Sequence, residues 1–155
     1  MKPSQTRPAR TAARAFLTAA AVMALAGCSG GKFEKVPTRD VNASQKAFAE
    51  QWANKILTAW AKGEYPQVGQ EATREFRAGH NDPKHQKDTY KYVKGKVGAF
   101  KSMKFYEARR SVPPKHTAYR FQGDFEEGEA EIRVVLDMDG KIGGLYFKPW
   151  DDEMK

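Results

Sequence analysis

The sequence predicts an α+β domain: three N-terminal helices packed on a curved four-strand antiparallel meander. Three observations predict it. Apolar residues recur at helical spacing from about residue 42 to Phe100. From Ser102 onward the period changes to two. Asp139-Gly140 then sits between two such alternations, the strongest short-range hairpin signal in the chain. Runs of helices followed by runs of strands argue for an α+β arrangement rather than alternating βα units.

The first helix is expected to start near Asp40 or Asn42, either of which can cap free backbone N–H groups, and to run to about Lys62. Phe48, Trp52, Ile56 and Trp60 recur every four residues, with Ala49, Ala53 and Leu57 beside them, so one broad face is apolar. Gly63 suits the left-handed residue that closes a helix. Tyr65-Pro66 is expected to open a short second helix, with Val68, Ala72 and Phe76 as its apolar side. After the loop Gly79-His80-Asn81-Asp82-Pro83, a third helix should extend to about Ala99 or Phe100. Tyr90, Val93, Val97 and Phe100 form its buried edge, and Gly95 and Gly98 weaken its end.

The strands follow. Lys104 to Arg110 is the first, broken by Val112-Pro113-Pro114. Thr117 to Phe125 places Tyr119, Phe121 and Phe125 on one face and Arg120, Gln122 and Asp124 on the other. After a turn at Glu126-Glu127-Gly128, Glu129 to Leu136 puts Ile132, Val134 and Leu136 on one face. Asp137 to Gly140 is the second hairpin turn. Lys141 to Lys148 closes the sheet, with Gly143-Gly144 predicting a bulge or bend.

Ahead of the domain lies a different kind of segment. Lys2, Arg7, Arg10 and Arg14 form an acid-free basic start, and an apolar run of 12 residues follows from Ala15 to Ala26. That length suits a signal segment and is short of the roughly 18 apolar residues of a membrane-spanning helix. Leu25-Ala26-Gly27-Cys28 closes the run. The pattern resembles a bacterial lipoprotein signal peptide. The resemblance implies that Leu25, Ala26 and Gly27 are read by the signal peptidase and that cleavage precedes Cys28. It also implies that Cys28 is thioether-linked to diacylglycerol, its new amine often acylated as well. Ser29, rather than an aspartate, after the cysteine points toward the outer membrane.

The expected organisation is a signal peptide over 1–27, a lipidated cysteine and flexible tether over 28–40, the domain over 41–150 and an acidic tail over 151–155. Removing 27 of the 155 residues leaves 128, enough for one domain with a real core. Half of the formal charge of +8 leaves with the signal segment, so the high pI is weak support for nucleic-acid binding, and no nucleic acid is expected as a partner. The single cysteine excludes an internal disulfide framework.

The domain is also similar to the nuclear-transport-factor-2-like fold, and especially to a small bacterial exported family of that fold with undefined function. Ala59 to Tyr65, Gly98 to Lys101 and Leu136 to Leu145 carry the likeness, over about residues 42–149. It implies a cone-like domain, its sheet wrapped round the helices. Trp52, Ile56, Trp60, Tyr90, Tyr119, Phe121 and Phe147 would line or fill that cone.

Chemistry is sparse. His80 and His85 lie five apart across Pro83, not at the spacing that sets two ligands on one helical face, and read as solvated loop residues. His116 has no partner in sequence. No nucleophile elbow and no phosphate-binding glycine loop occurs. Asp124 and Glu131 fall on the polar sides of their strands, so no carboxylate is assigned to the interior as a catalytic base. No catalytic residue, metal or cofactor is expected. Residues 84–104 hold seven lysines against Asp88 alone, and Lys87, Lys91 and Lys94 share one helical face. That basic face either keeps the helix soluble or meets anionic envelope groups. The expected function is a lipid-anchored, periplasm-facing domain that binds an envelope protein or a small apolar ligand without catalysis. The alternative is a small cone-fold enzyme, isomerase- or hydrolase-like, acting on an apolar small molecule in the periplasm.

Overall fold

Asn42 begins the first long helix as the sequence predicts. Its side chain accepts a hydrogen bond from the Gln45 backbone N–H at 2.9 Å, and α1 runs Ala43–Ala61. The computed structural model describes residues 32–151. Ahead of α1 lie a strand, β1 (Lys32–Lys35), and a single 3-10 turn (Thr38–Asp40). After it come α2 (Arg74–His80), α3 (Pro83–Val97), and the strands β2 (Phe100–Val112), β3 (His116–Phe125), β4 (Gly128–Asp137) and β5 (Ile142–Pro149). The five strands form one antiparallel sheet in the order β1-β2-β3-β4-β5.

Two expectations are corrected here. The sheet has five strands rather than four, and the helices are not all N-terminal, because β1 precedes them. Lys32 pairs with Val112 and Lys35 with Arg109, and the Val36 N–H continues the ladder to the Ala108 carbonyl at 2.9 Å. Residues 32–36, within the segment 28–40 expected as tether, therefore pair with the sheet. A four-residue edge strand that half-buries only Phe33 between charged neighbours leaves no alternation to detect. Cys28, the Leu25-Ala26-Gly27 segment and the acidic residues 152–155 lie outside the described residues.

The second helix is also displaced. Residues 66–73 are not helical, because their backbone groups are engaged elsewhere. The Asn81 side chain bonds both the N–H and the carbonyl of Val68, at 2.7 and 3.0 Å. Thr73 N–H reaches the Ile142 carbonyl, and Ile142 N–H the Glu71 carbonyl, both at 2.9 Å. Only after the Thr73 side chain caps Phe76 N–H does α2 start. In β5 one residue, Gly143, is extra: Val135 pairs with Gly144 and Leu136 with Ile142, the bulge that the glycine pair predicts.

The core lies between α1, α3 and the inner sheet face. Ala49, Trp52, Ala53, Ile56, Leu57 and Trp60 of α1 are all buried, and Tyr119, Phe121, Phe125, Ile132, Val134 and Leu136 face them. Gly98 joins helix to sheet. Its φ of +83° ends α3 and lets the β3–β4 turn close in, with Glu127 N–H on the Val97 carbonyl at 2.8 Å and Glu126 N–H on Ala99 at 3.0 Å. A Cβ at Gly98 would meet Glu126 Cβ at 2.8 Å and Glu127 N at 3.0 Å. Gly98→Ala is expected to destabilise the fold by about 1–3 kcal/mol, measured by urea unfolding. A loss near zero would mean that the turn does not lock the helix end.

Candidate functional site

The side chains expected to line or fill a cone converge in one packed core. Trp52, Ile56, Trp60, Tyr90, Tyr119 and Phe121 are each buried, and Phe147 packs on them half-buried. Trp60 is the hub, with ring centroids 5.9 Å from Tyr90, 6.1 Å from Phe147 and 6.1 Å from His80. Its indole N–H donates to Gln86 Oε1 at 2.7 Å. Gln86, fully buried, donates in turn to the carbonyls of His80 at 2.7 Å and Pro66 at 3.0 Å.

His80 departs from its expected place in a solvated loop. It is the last residue of α2, has no solvent exposure, and stacks on Phe76 at 5.0 Å between Trp52 and Trp60. Neither ring nitrogen has a hydrogen-bond partner among the described residues, and the same holds for Nε2 of half-buried His85. Burial, with a smaller contribution from the charge of His85, lowers the His80 pKa from 6.5 to about 4. The imidazole is therefore neutral near pH 7. Among the described residues no three His, Asp or Glu side chains converge to hold a metal ion.

The outer sheet face carries a second buried cluster, which alternation alone assigned to solvent. Arg120 of β3 has no exposure. It donates to Glu107 of β2, to Glu131 of β4 at 2.8 Å and to the Asp151 carbonyl at 2.8 Å. Arg109 also donates to Glu107 at 2.7 Å, Arg133 to Glu131 at 2.6 Å, and Lys35 of β1 lies 3.4 Å from Glu107. Burial raises the Glu107 pKa, but hydrogen bonds from Arg109 and Arg120 outweigh it and leave the carboxyl below its usual range. Tyr106 lies over the Arg120 guanidinium at 5.5 Å and meets Trp150 edge-on at 5.0 Å, so the chain's end roofs the cluster. Glu131 thus sits on its polar side as expected, yet it is buried and ion-paired. The signal in the sequence is the repeat Glu107-x-Arg109 and Glu131-x-Arg133 flanking Arg120 on neighbouring strands. These carboxylates are fully engaged with arginines and lie on the face opposite the aromatic core, an arrangement for holding strands together rather than for moving a proton.

Open space lies at the surface. A groove of about 420 Å³ runs between Ala47, Glu50, Gln51 and Asn54 of α1 and Lys101, Ser102 and Met103 of β2. Beside it, β1 covers β2 only from Ala108 to Val112, so the first half of β2 has no strand neighbour on that side among the described residues. Lys87, Lys91 and Lys94 lie exposed on α3, as their shared face predicts, while Lys84 pairs with Asp88 at 3.0 Å. No helix among the described residues is long and apolar enough to cross a membrane.

Comparison of the chain with protein-family models, with curated proteins and with solved structures finds no match to any of them.

Two outcomes follow from the buried polar groups. Because the folded pKa of His80 is depressed, the unfolded chain binds the extra proton between pH 6.5 and about 4. Stability is fully present above pH 6.5 and falls as pH drops through that window, by about 3 kcal/mol at pH 4. Urea unfolding at pH 7 and pH 4 should show a loss about 3 kcal/mol larger in the wild-type chain than in His80→Leu, which keeps only the carboxylate contributions; equal losses would place the acid sensitivity elsewhere. Arg120→Met leaves Glu107 and Glu131 buried with one arginine partner each. It should cost about 3–5 kcal/mol, read from the same unfolding measurement at pH 7.

Proposed function

We propose that the chain is a lipid-anchored envelope protein, held by acyl chains on Cys28, whose domain binds a protein partner and catalyses nothing. It belongs in this reading with the exported family of the nuclear-transport-factor-2-like type that its sequence resembles. One observation carries the choice of binding over catalysis: the aromatic side chains expected to line a cone pack on one another, and a surface groove lies between α1 and the uncovered half of β2. An enzyme acting on an apolar small molecule needs a cavity beside an acid or base. His80, the imidazole inside the core, has rings on its faces instead. An uncovered strand edge offers unpaired backbone N–H and C=O groups, and an extended segment of another envelope protein can add to it as a further strand. The anchor rests on the basic start, the 12-residue apolar run and Leu25-Ala26-Gly27-Cys28.

Metabolic labelling with palmitate and fractionation test the anchor. The wild-type chain should carry the label and sediment with the outer membrane, whereas Cys28→Ala should be unlabelled and move to the soluble periplasmic fraction. Retention of Cys28→Ala in the membrane would sink the lipoprotein reading. A photo-crosslinker at Ser102, in the groove, should give a partner adduct that one at Glu75, exposed on α2 at the other edge of the sheet, does not. Identical adducts from both positions would rule out the groove.

A further inference from the structure

Lys32 opens β1 only four residues after Cys28. Fully extended, four residues span at most about 14 Å. If Cys28 carries the lipid, as proposed above, Lys32 lies within that distance of the acyl–headgroup boundary. The headgroup layer itself is about 5–8 Å thick on each side of the bilayer. No long tether intervenes, so one end of the sheet is held against the membrane.

The register identifies what stands at that end. Lys32 pairs with Val112, Arg110 with Thr117, and His116 with Asp137. The terminal row of the sheet is therefore Lys32, Val112, then the β2–β3 turn with Pro113, Pro114 and Lys115, then Met138 in the β4–β5 turn. Among the described residues four large apolar side chains are exposed: Tyr92, Tyr106, Val112 and Met138. Tyr92 lies against Lys96 and Tyr106 against Trp150. The two aliphatic ones, Val112 at 44% and Met138 at 70% exposure, both fall in this row. Lys32, Lys115 and Lys141 surround them, all exposed. Of the three acids nearby, Glu34 lies 3.8 Å from Lys32 in an exposed ion pair, Asp137 has one carboxylate oxygen engaged by the N–H groups of Asp139 and Lys141, at 2.9 and 2.8 Å, and Asp139 is exposed.

We infer that this row is a membrane-docking rim: Val112 and Met138 enter the interface of the bilayer that holds the lipidated Cys28, and Lys32 and Lys115 meet its anionic headgroups. Small apolar insertions beside cations bind such an interface weakly by themselves and effectively once an anchor removes the cost of encounter. The rim fixes the domain's orientation, with β2 and β3 standing away from the surface.

The test uses the full lipidated chain in vesicles of phosphatidylethanolamine and phosphatidylglycerol that contain a lipid-borne nitroxide quencher. With Cys28 consumed by lipid, Met138→Cys or Glu127→Cys supplies the one free thiol for a fluorescent dye. Glu127 lies in the β3–β4 turn, at the other end of the sheet. Quenching at position 138 should exceed that at 127 by at least about threefold, and adding Val112→Asp or Lys115→Glu should reduce it by about half. Equal quenching at the two ends, or none at 138, in protein whose mass includes the acyl chains overturns the docking rim and leaves the anchor standing. Protein whose mass shows an unmodified Cys28 overturns the anchor and the rim together.

Discussion

Gln86 ties the helical layer together. A buried primary amide must satisfy its carbonyl oxygen and its N–H donors or carry a desolvation cost of about 1–3 kcal/mol per unpaired group. Here its oxygen takes the Trp60 indole N–H, and its nitrogen serves the carbonyls of His80 and Pro66. One side chain thereby fixes α1, the end of α2, the loop that begins at Pro66, and its own helix α3. The consequence reaches the sheet. With α1 and α3 tied to each other, Trp60 is held against Tyr90 and Phe147, and the large rings pack in the core.

The sheet is held from both faces by different physics. The inner face uses apolar burial. The outer face uses an alternating ion network in which Arg120 bridges the carboxylates of β2 and β4 while Arg109 and Arg133 flank them. Such a network is geometrically demanding, because each removed partner leaves a buried charge behind. It also explains why the end of the chain is part of the domain: the Asp151 carbonyl completes Arg120, and Trp150 with Tyr106 excludes water from it.

How much of this was legible in the sequence follows from how local each signal is. α1, its Asn42 cap and the β4–β5 hairpin rest on spacing and turn chemistry within a few residues, and they stand where the sequence predicts. β1 was not legible, because Lys32-Phe33-Glu34-Lys35 has the composition of a solvated linker and becomes a strand only through its partner β2. The second helix was misplaced because Val68 and Thr73 give their backbone groups to Asn81 and Ile142, partners distant in sequence. His80 read as a loop residue because the aromatic cage that buries it comes from α1 and α2 together. Alternation located Arg120 and Glu131 on the polar face correctly, but it carries no information on whether that face is wet. The groove beside β2 was equally hidden, since it exists only because β1 is too short to cover its neighbour.

The short β1 and the short link to Cys28 have a joint consequence. β1 starts at the Val112 end of β2, and the uncovered half of β2 lies at the other end. Lys101, Ser102 and Met103 are nine to eleven residues from Val112, which in an extended strand is about 30–36 Å. In the proposed anchored state the rim rests on the bilayer, and the free edge with its groove stands that far above it, beyond the reach of lipid headgroups and about three Debye lengths from their charge. An envelope partner approaching from the periplasm then meets backbone hydrogen-bonding groups on a surface whose orientation the membrane has already fixed. Lengthening the link after Cys28 would free that orientation while leaving the anchor and the fold unchanged. In that proposed state, the closeness of Lys32 to the lipid is the geometric condition on which presentation of the groove depends.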